Sequence, residues 1–239
     1  MRAAPLLLVL GLAGCAAAPP GGIADPFEPM NRRVHGFNKS LDAAVLRPVS
    51  QALDSSRQGN DGPGPVEMAG NFGANLALPG KVANSLLQGR PEPAIRNMFR
   101  FLVNSTLGIG GLFDLATEDF DLPEVDTDFG ETLHVWGVPA GAYLELPVLG
   151  PSTQRDLAGD IVDLLLLDPL DGVVNRDVRR AGLAARVLSK AGDRARFGST
   201  VDSVLHESAD SYAQTRLLYM QHRQYQLNEE GEVIDPYSE

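Results

Sequence analysis

Apolar residues recur with helical spacing over most of the chain. After Asp25-Pro26, the positions Met30, Val34, Phe37, Leu41 and Val45 lie three or four residues apart. This spacing predicts one apolar face of an amphipathic helix. Further helices are expected at 49–55, 66–78, 79–88, 93–105, 153–167, 173–191 and 199–227. The pattern therefore predicts an all-α fold class with one helical domain over residues 25–227.

Proline, glycine and acidic residues divide these helices. Pro48 is expected to end or kink the first helix, and Pro79 suits the first turn of a new one. The glycine- and proline-rich segment 59–65 predicts a loop. The segment 117–128 carries six carboxylates and is expected to be a solvated loop, whereas 133–146 predicts a short hairpin or an apolar loop.

After the amino-terminal 24 residues, the longest segments without Asp, Glu, Lys or Arg are 68–80, 101–113 and 132–144, each of 13 residues. None is long enough to cross a bilayer as a helix, which takes ~20 apolar residues. In an unattached protein they would be ordinary core segments. A chain fixed to a membrane surface could instead insert them into one leaflet.

The amino terminus has the pattern of a bacterial lipoprotein signal. Met1-Arg2 is basic, 5–12 is apolar, and Leu12-Ala13-Gly14 places small residues before Cys15. We therefore expect a signal peptide over 1–14, lipidation of Cys15, and a flexible lipidated tether over 15–24. Since Cys15 is the only cysteine, an intrachain disulfide is excluded, and the alternative role is that of a buried structural thiol.

Charge narrows the possible partners. The chain has 20 Lys and Arg against 31 Asp and Glu, with a formal net charge of −11, so no nucleic-acid partner is expected. The predicted helix 173–191 and the residues after it nevertheless form a basic face, which suits anionic lipid head groups. The alternative, given equal weight, is that the basic face is solvated and pairs with the acidic segment 117–128. The acidic tail 228–239 is expected to be disordered.

Residue patterns for chemistry are missing. The four histidines have no metal-ligand spacing, no G-x-S-x-G occurs, and the glycine-rich segments do not match nucleotide-binding loops. We therefore predict no catalytic residue, no metal and no cofactor. A lipid hydrolase that uses Ser105 or Ser152 is kept as a minor alternative.

Several ordered motifs in this sequence resemble the MlaA (VacJ) lipoproteins. They include the segment that begins Asp25-Pro26-Phe27, a long motif over 101–114, Phe129-Gly130, Trp136-Gly137, and residues spaced along the last helix. The chain departs from the family at Ala142, where Pro is usual, and at His134, where Gly is common. The matching positions, expected to be structural or channel-forming, are Asp25, Pro26, Asn31, Arg32, Asn104, Ser105, Gly108, Gly110, Gly111, Asp114, Phe129, Gly130, Gly137, Tyr143, Pro147, Gly150, Pro151, Arg155 and Asp156.

The resemblance implies a ring of amphipathic helices seated in one leaflet of the outer membrane, lipid-anchored on the periplasmic side. It implies a polar channel that takes mislocalised phospholipids from the outer leaflet. The implied partners are phospholipids, a trimeric porin, and a periplasmic MlaC-like carrier that feeds an inner-membrane ABC transporter. Within the ring, Gly110 is expected in a turn with positive φ. The alternative function is a structural periplasmic scaffold without a lipid channel.

Overall fold

The computed structural model of the protein describes residues 25–51, 63–165, 194 and 197–228. Helices dominate these residues, which confirms the all-α prediction. The helices are α1 (Glu28–Leu41), α2 (Pro65–Leu87), α3 (Pro91–Thr106), α4 (Leu115–Glu118), α5 (Phe129–Val135), α6 (Gln154–Leu165), α7 (Gly198–Asp202) and α8 (Ser211–Asn228). Strands β1 (Tyr143–Leu146) and β2 (Gly150–Thr153) form a hairpin.

Proline does not interrupt the first helix where the sequence predicts it. Helix α1 runs into a π-helical turn, Asp42–Leu46, and then into further helix over 47–51. Pro48 has no N–H to donate, and the wider π turn directly before it accommodates that loss without ending the helix. The predicted break at Pro48 is therefore wrong, and residues 49–51 continue the first helix rather than begin a second.

Helix α2 covers both of the helices predicted over 66–78 and 79–88. Pro79 lies in its interior instead of beginning a new helix. Its main neighbour is α3, which follows after a turn at Gly89 with a φ of +76°. Packing along α3 outweighs the hydrogen bond that Pro79 cannot make. Lys81 on the same helix forms ion pairs with Glu124 and Asp126, so the acidic segment 117–128 is partly bound to α2 rather than only solvated.

The region predicted as a hairpin or apolar loop contains both a helix and the start of a hairpin. Helix α5 takes its first residues, and the antiparallel strands pair Tyr143 with Thr153 and Leu146 with Gly150. Further along, the single helix predicted over 199–227 is wrong. Helix α7 and a π turn (Ser203–Glu207) are separated from α8 by Ser208, whose backbone is extended.

Several predictions lie outside the described residues. They concern the signal peptide, Cys15 and the tether before residue 25, most of the 59–65 loop, the helix 173–191 with its basic face, and the acidic tail after 228.

Candidate functional site

The apolar faces of the helices point outward. On α1, Met30 and Phe37 from the predicted stripe are 61% and 53% exposed, whereas Asn31 and His35 on the opposite face are buried. The structure therefore confirms the amphipathic pattern. It places the polar face, not the apolar one, against the rest of the protein.

Helix α3 has the same arrangement. Ile95, Phe99 and Leu102 are each about half exposed, while Asn97 and Arg100 are buried. This is the reverse of a water-soluble helix, in which burial of the apolar face provides the main stabilisation. An outward apolar face suits an apolar surrounding medium.

Polar and charged side chains fill the described interior. Fully buried apolar residues are few, namely Leu78, Ala94, Ala116, Ala142, Tyr143 and Tyr212, and the buried polar residues outnumber them several-fold. Buried polar groups are costly unless they are hydrogen-bonded, so the interior must be a connected network. Among the described helices, none has both the length and the hydropathy needed to cross a membrane.

One part of this network joins α3 to Asp114, the last residue of the motif at 101–114. Arg100 Nη2 donates to both carboxylate oxygens of Asp114 at 3.0 Å, and Asn104 Nδ2 donates to Asp114 Oδ1 at 2.8 Å. Burial alone would raise the pKa of Asp114, but Thr117, Asn104 and Arg100 together hold it below its usual value. Three predicted site residues of this motif, Asn104, Ser105 and Asp114, thus belong to one hydrogen-bonded end of α3.

The glycines that follow Asn104 form the turn out of α3. Gly110 and Gly111 have φ values of +73° and +93°, as expected for Gly110. A Cβ on Gly111 would lie 2.5 Å from that of Asn75, whose Nδ2 donates to Ser105 Oγ. A Cβ on Gly108 would lie 2.3 Å from the carbonyl oxygen of Phe113. Close approach requires glycine at two of these positions, and positive φ favours it at Gly110.

A second part of the network joins α5, α6 and α8 through Arg223. Its Nη1 and Nη2 donate to Asp128 at 2.8 Å, and Nη2 also donates to Asp156 at 3.0 Å. Arg155 and Tyr219 also donate to Asp156. Burial alone would raise the pKa of Asp156, but Arg223, Tyr219 and Arg155 outweigh it and hold that pKa below its usual value.

Carboxylates next to this cluster make the interior acidic. Asp163 accepts from Asn84 Nδ2 and from the backbone N–H of Phe129, both at 2.8 Å. Asp160 is accessible, yet desolvation and the nearby charges of Asp128, Asp163 and Asp156 raise its pKa to about 6. Asn84, Asp160 and Asp163 are not predicted from the sequence, because nothing in their spacing shows that α2, α5 and α6 meet.

Close packing of two helices builds this cluster. A Cβ on Gly159 of α6 would lie 2.3 Å from the backbone nitrogen of Gly130 in α5. A Cβ on Gly130 would in turn lie 2.8 Å from Asp156 Oδ1. Glycine is therefore required at the crossing. Gly130 was among the predicted positions, but Gly159 was not.

A third part of the hydrogen-bonded network joins the start of α1 to the start of α8. Asn31 Nδ2 donates to Asp25 at 2.8 Å, and Tyr212 donates to the same carboxylate. Arg32 donates to both oxygens of Asp210 at 3.0 Å and lowers the pKa of Asp210 to about 2. The first motif of the sequence thus contacts the last helix.

The remaining predicted positions lie in turns and in the hairpin. Gly137 and Gly150 have φ values of +84° and +89°. Pro147 begins the hairpin turn, and Pro151 lies in β2 opposite Glu145. Phe129, the first residue of α5, packs edge-on against Trp136 with ring centroids 5.6 Å apart. They shape loops and contribute no ionisable group to the network. Pro26 precedes α1.

The serines proposed for hydrolysis do not lie in a catalytic arrangement. Ser105 accepts from Asn75, and Ser152 donates to the backbone of Thr153. Ser211 does contact His35 Nε2 at 3.0 Å, and His35 Nδ1 lies 3.3 Å from Glu145. However, Asp210 already occupies the N–H groups of Tyr212 and Ala213 at this helix end, so these donors are not free to stabilise an oxyanion.

Among the residues that the structure describes, one group of side chains could offer ligand atoms to a metal ion. Asp42, Asp202 and His206 bring ligand atoms within 4.8 Å of one another. Arg194 already donates to Asp42 at 2.9 Å and pairs with Asp202, and His206 lies 2.8 Å from Asp42. Arg47 also pairs with Asp202 at 3.1 Å, so two guanidinium groups match the two carboxylates. The group therefore fits an ion-pair cluster that joins α7 to the π turn after α1 better than a metal site.

The fold and interior define a helical protein with an apolar surface and a connected polar core, as expected for a membrane-seated domain. The family model of the MlaA lipoproteins matches residues 23–226. Relatives in Shigella flexneri and Rickettsia felis are 32% and 35% identical, over 91% and 81% of this chain and 84% and 74% of their own lengths. The chain belongs to the MlaA lipoprotein family.

A solved structure has the same fold. It comes from work on the structural basis for maintenance of bacterial outer membrane lipid asymmetry, and its TM-score is 0.70 at 30% sequence identity. The similarity covers 86% of this chain and 100% of the other.

Proposed function

We propose that this protein is an outer-membrane lipoprotein that removes mislocalised phospholipids from the outer leaflet and passes them to a periplasmic carrier. The observation that carries the proposal is the inverted polarity of the helices: an apolar surface around a hydrogen-bonded polar interior. A lipid head group crosses apolar territory at low cost only along a polar path. The relatives in Shigella flexneri and Escherichia coli are named intermembrane phospholipid transport system lipoproteins, which supports the same function.

The proposed conduit does no covalent chemistry. Its lipidated Cys15 would hold the domain on the periplasmic side of the membrane, and the outward faces of α1 and α3 would lie among acyl chains. Directional transport would take its energy from an inner-membrane ABC transporter through an MlaC-like carrier. A trimeric porin is the proposed partner in the membrane.

Charge substitution on the outward face tests the seating. Phe99→Glu places a carboxylate on the exposed apolar face of α3, and we expect it to increase extraction of the acylated protein from membranes by alkaline carbonate. The matched control is Arg33→Glu on the exposed polar side of α1, which should leave extraction unchanged. Equal extraction of both variants and the wild type would support the periplasmic scaffold instead.

Transport itself is tested in a deletion strain. Without the protein, phospholipid in the outer leaflet should become accessible to an externally added phospholipase, and the wild-type gene should reverse this. Cys15→Ala should fold but fail to restore asymmetry, because the anchor is lost and the core is not. Unchanged phospholipid exposure in the deletion strain would contradict the proposed function.

A further inference from the structure

The outer edge of β1 lies against a helix instead of another strand. In the described sheet, β1 pairs with β2 alone. An unpaired strand edge leaves backbone N–H and C=O groups without partners, which is costly away from water. Two asparagines of α1, Asn31 and Asn38, supply those partners.

Asn31 bridges the backbone on both sides of Leu144. Its Nδ2 donates to the carbonyl oxygen of Tyr143 at 3.1 Å, and its Oδ1 accepts from the N–H of Glu145 at 3.0 Å. A residue of a parallel neighbouring strand would use its own N–H and C=O in the same way. One side-chain amide therefore replaces one residue's backbone groups.

Asn38 repeats this pattern on both sides of Pro147. Its Nδ2 donates to the carbonyl oxygen of Leu146 at 2.9 Å, and its Oδ1 accepts from the N–H of Val148 at 2.8 Å. Val148 has a φ of +68°, a backbone conformation that β-branched residues rarely adopt. Asn38 thus holds the N–H of the residue that turns the hairpin.

The two repeats match in length. Seven residues of α-helix rise ~10.5 Å, from Asn31 to Asn38. From Leu144 in β1 to Pro147, the first residue of the hairpin turn, the chain advances by three residues and spans ~10 Å at most. Because these lengths agree, asparagines two helical turns apart reach the edge of β1 and the start of the hairpin turn.

We propose that Asn31 and Asn38 are positioning residues that fix the hairpin on α1, Asn31 in place of a third strand beside β1 and Asn38 at the hairpin turn. Through Asn38, this pairing also fixes the hairpin tip, where Val148 and Leu149 expose apolar side chains. The inference stands apart from the transport proposal, since it concerns which backbone groups α1 recognises.

Residue-resolved hydrogen–deuterium exchange on the acylated full-length protein in lipid nanodiscs tests the pairing. Asn38→Ala should speed exchange of the Val148 N–H about tenfold, the effect of losing one hydrogen bond, while the Glu145 N–H stays slow. Asn31→Ala should produce the opposite pattern. Ser40→Ala is the control, because Ser40 donates to Gly36 within α1, and it should change neither.

A crossed pattern separates positioning from general destabilisation, which would speed both amides in both variants. Spin labels on Leu149→Cys give a second readout, because the only native cysteine, Cys15, would be blocked by lipid. The label should become more mobile in the Asn38→Ala background. Unchanged Val148 exchange and label mobility in folded Asn38→Ala protein would overturn the proposal, whatever its transport activity.

Discussion

A substitution at the crossing of α5 and α6 tests the packing that brings Arg223, Asp128 and Asp156 together. In Gly159→Ala, the added Cβ would lie 2.3 Å from the backbone nitrogen and 2.7 Å from the Cα of Gly130. Backbone atoms cannot rotate away as a side chain can, so the helices must separate by about 1 Å to restore van der Waals contact. Overpacking of this kind costs about 1–3 kcal/mol, and the better helix propensity of alanine returns up to about 1 kcal/mol.

We therefore expect Gly159→Ala to lower the free energy of unfolding by about 1–2 kcal/mol, a fall in Tm of about 2–8 °C for a chain of this size. The matched control is Gly36→Ala on the exposed side of α1, where a Cβ meets nothing within 4 Å. The same substitution should stabilise the protein there by up to about 1 kcal/mol. Thermal unfolding in detergent micelles, followed by circular dichroism, measures both. A Gly159→Ala protein as stable as the wild type would refute the packing argument.

Three further predictions follow from backbone conformation, charge and exposure. Gly110→Val should cost about 1–3 kcal/mol, because a β-branched residue is strained at a φ of +73°, and it should lower detergent resistance of the strain at equal protein level. Ile109→Val, at a position already β-branched, should be tolerated. Asp160→Asn should stabilise the protein by roughly 1 kcal/mol at pH 7.5, after a discount for solvent exposure, and by almost nothing at pH 4. The substitution stabilises at the higher pH because burial and nearby charges raise the folded-state pKa of Asp160 to about 6, so its carboxylate is destabilising above that pH. Urea unfolding at the two pH values measures the difference, and equal effects at both would contradict the prediction. Brominated lipid should quench the fluorescence of the exposed Trp136 in proteoliposomes, and no quenching would contradict membrane insertion.

Local sequence signals predicted the elements but not all of their ends. The periodic stripe of α1 and the glycine turn after α3 follow from neighbouring residues, and both are present. Pro48 and Pro79 misled the prediction, because a π turn accommodates the first and packing on α3 outweighs the second. These compensations depend on residues that are distant in sequence or on a rarely used helix geometry, so a local pattern does not show them.

The candidate site was predictable only in part for the same reason. Gly130 and Asp156 were identified through the family motifs, whereas Gly159, Asn84 and Asp163 were missed. The first pair belongs to short motifs that carry the family resemblance, but the others matter only because α2, α5, α6 and α8 converge. Contacts of that kind join residues that are far apart in sequence, such as Arg223 and Asp128, and no spacing rule connects them.

The direction of the helix faces links the fold to its function. Periodicity shows that α1 has an apolar stripe but is the same whether that stripe faces a protein core or acyl chains. The polar face decides between them: Asn31, His35 and Asn38 each meet a specific partner on the hairpin or on α8, so this face is the one committed to the protein interior. An apolar face left over after such commitment meets water at a large cost in free energy, so it favours lipid or an apolar protein partner. The extensive hydrogen bonding of the interior and the exposure of Met30 and Phe37 are therefore two consequences of one arrangement, and in the proposed function the membrane would take the place of a hydrophobic core.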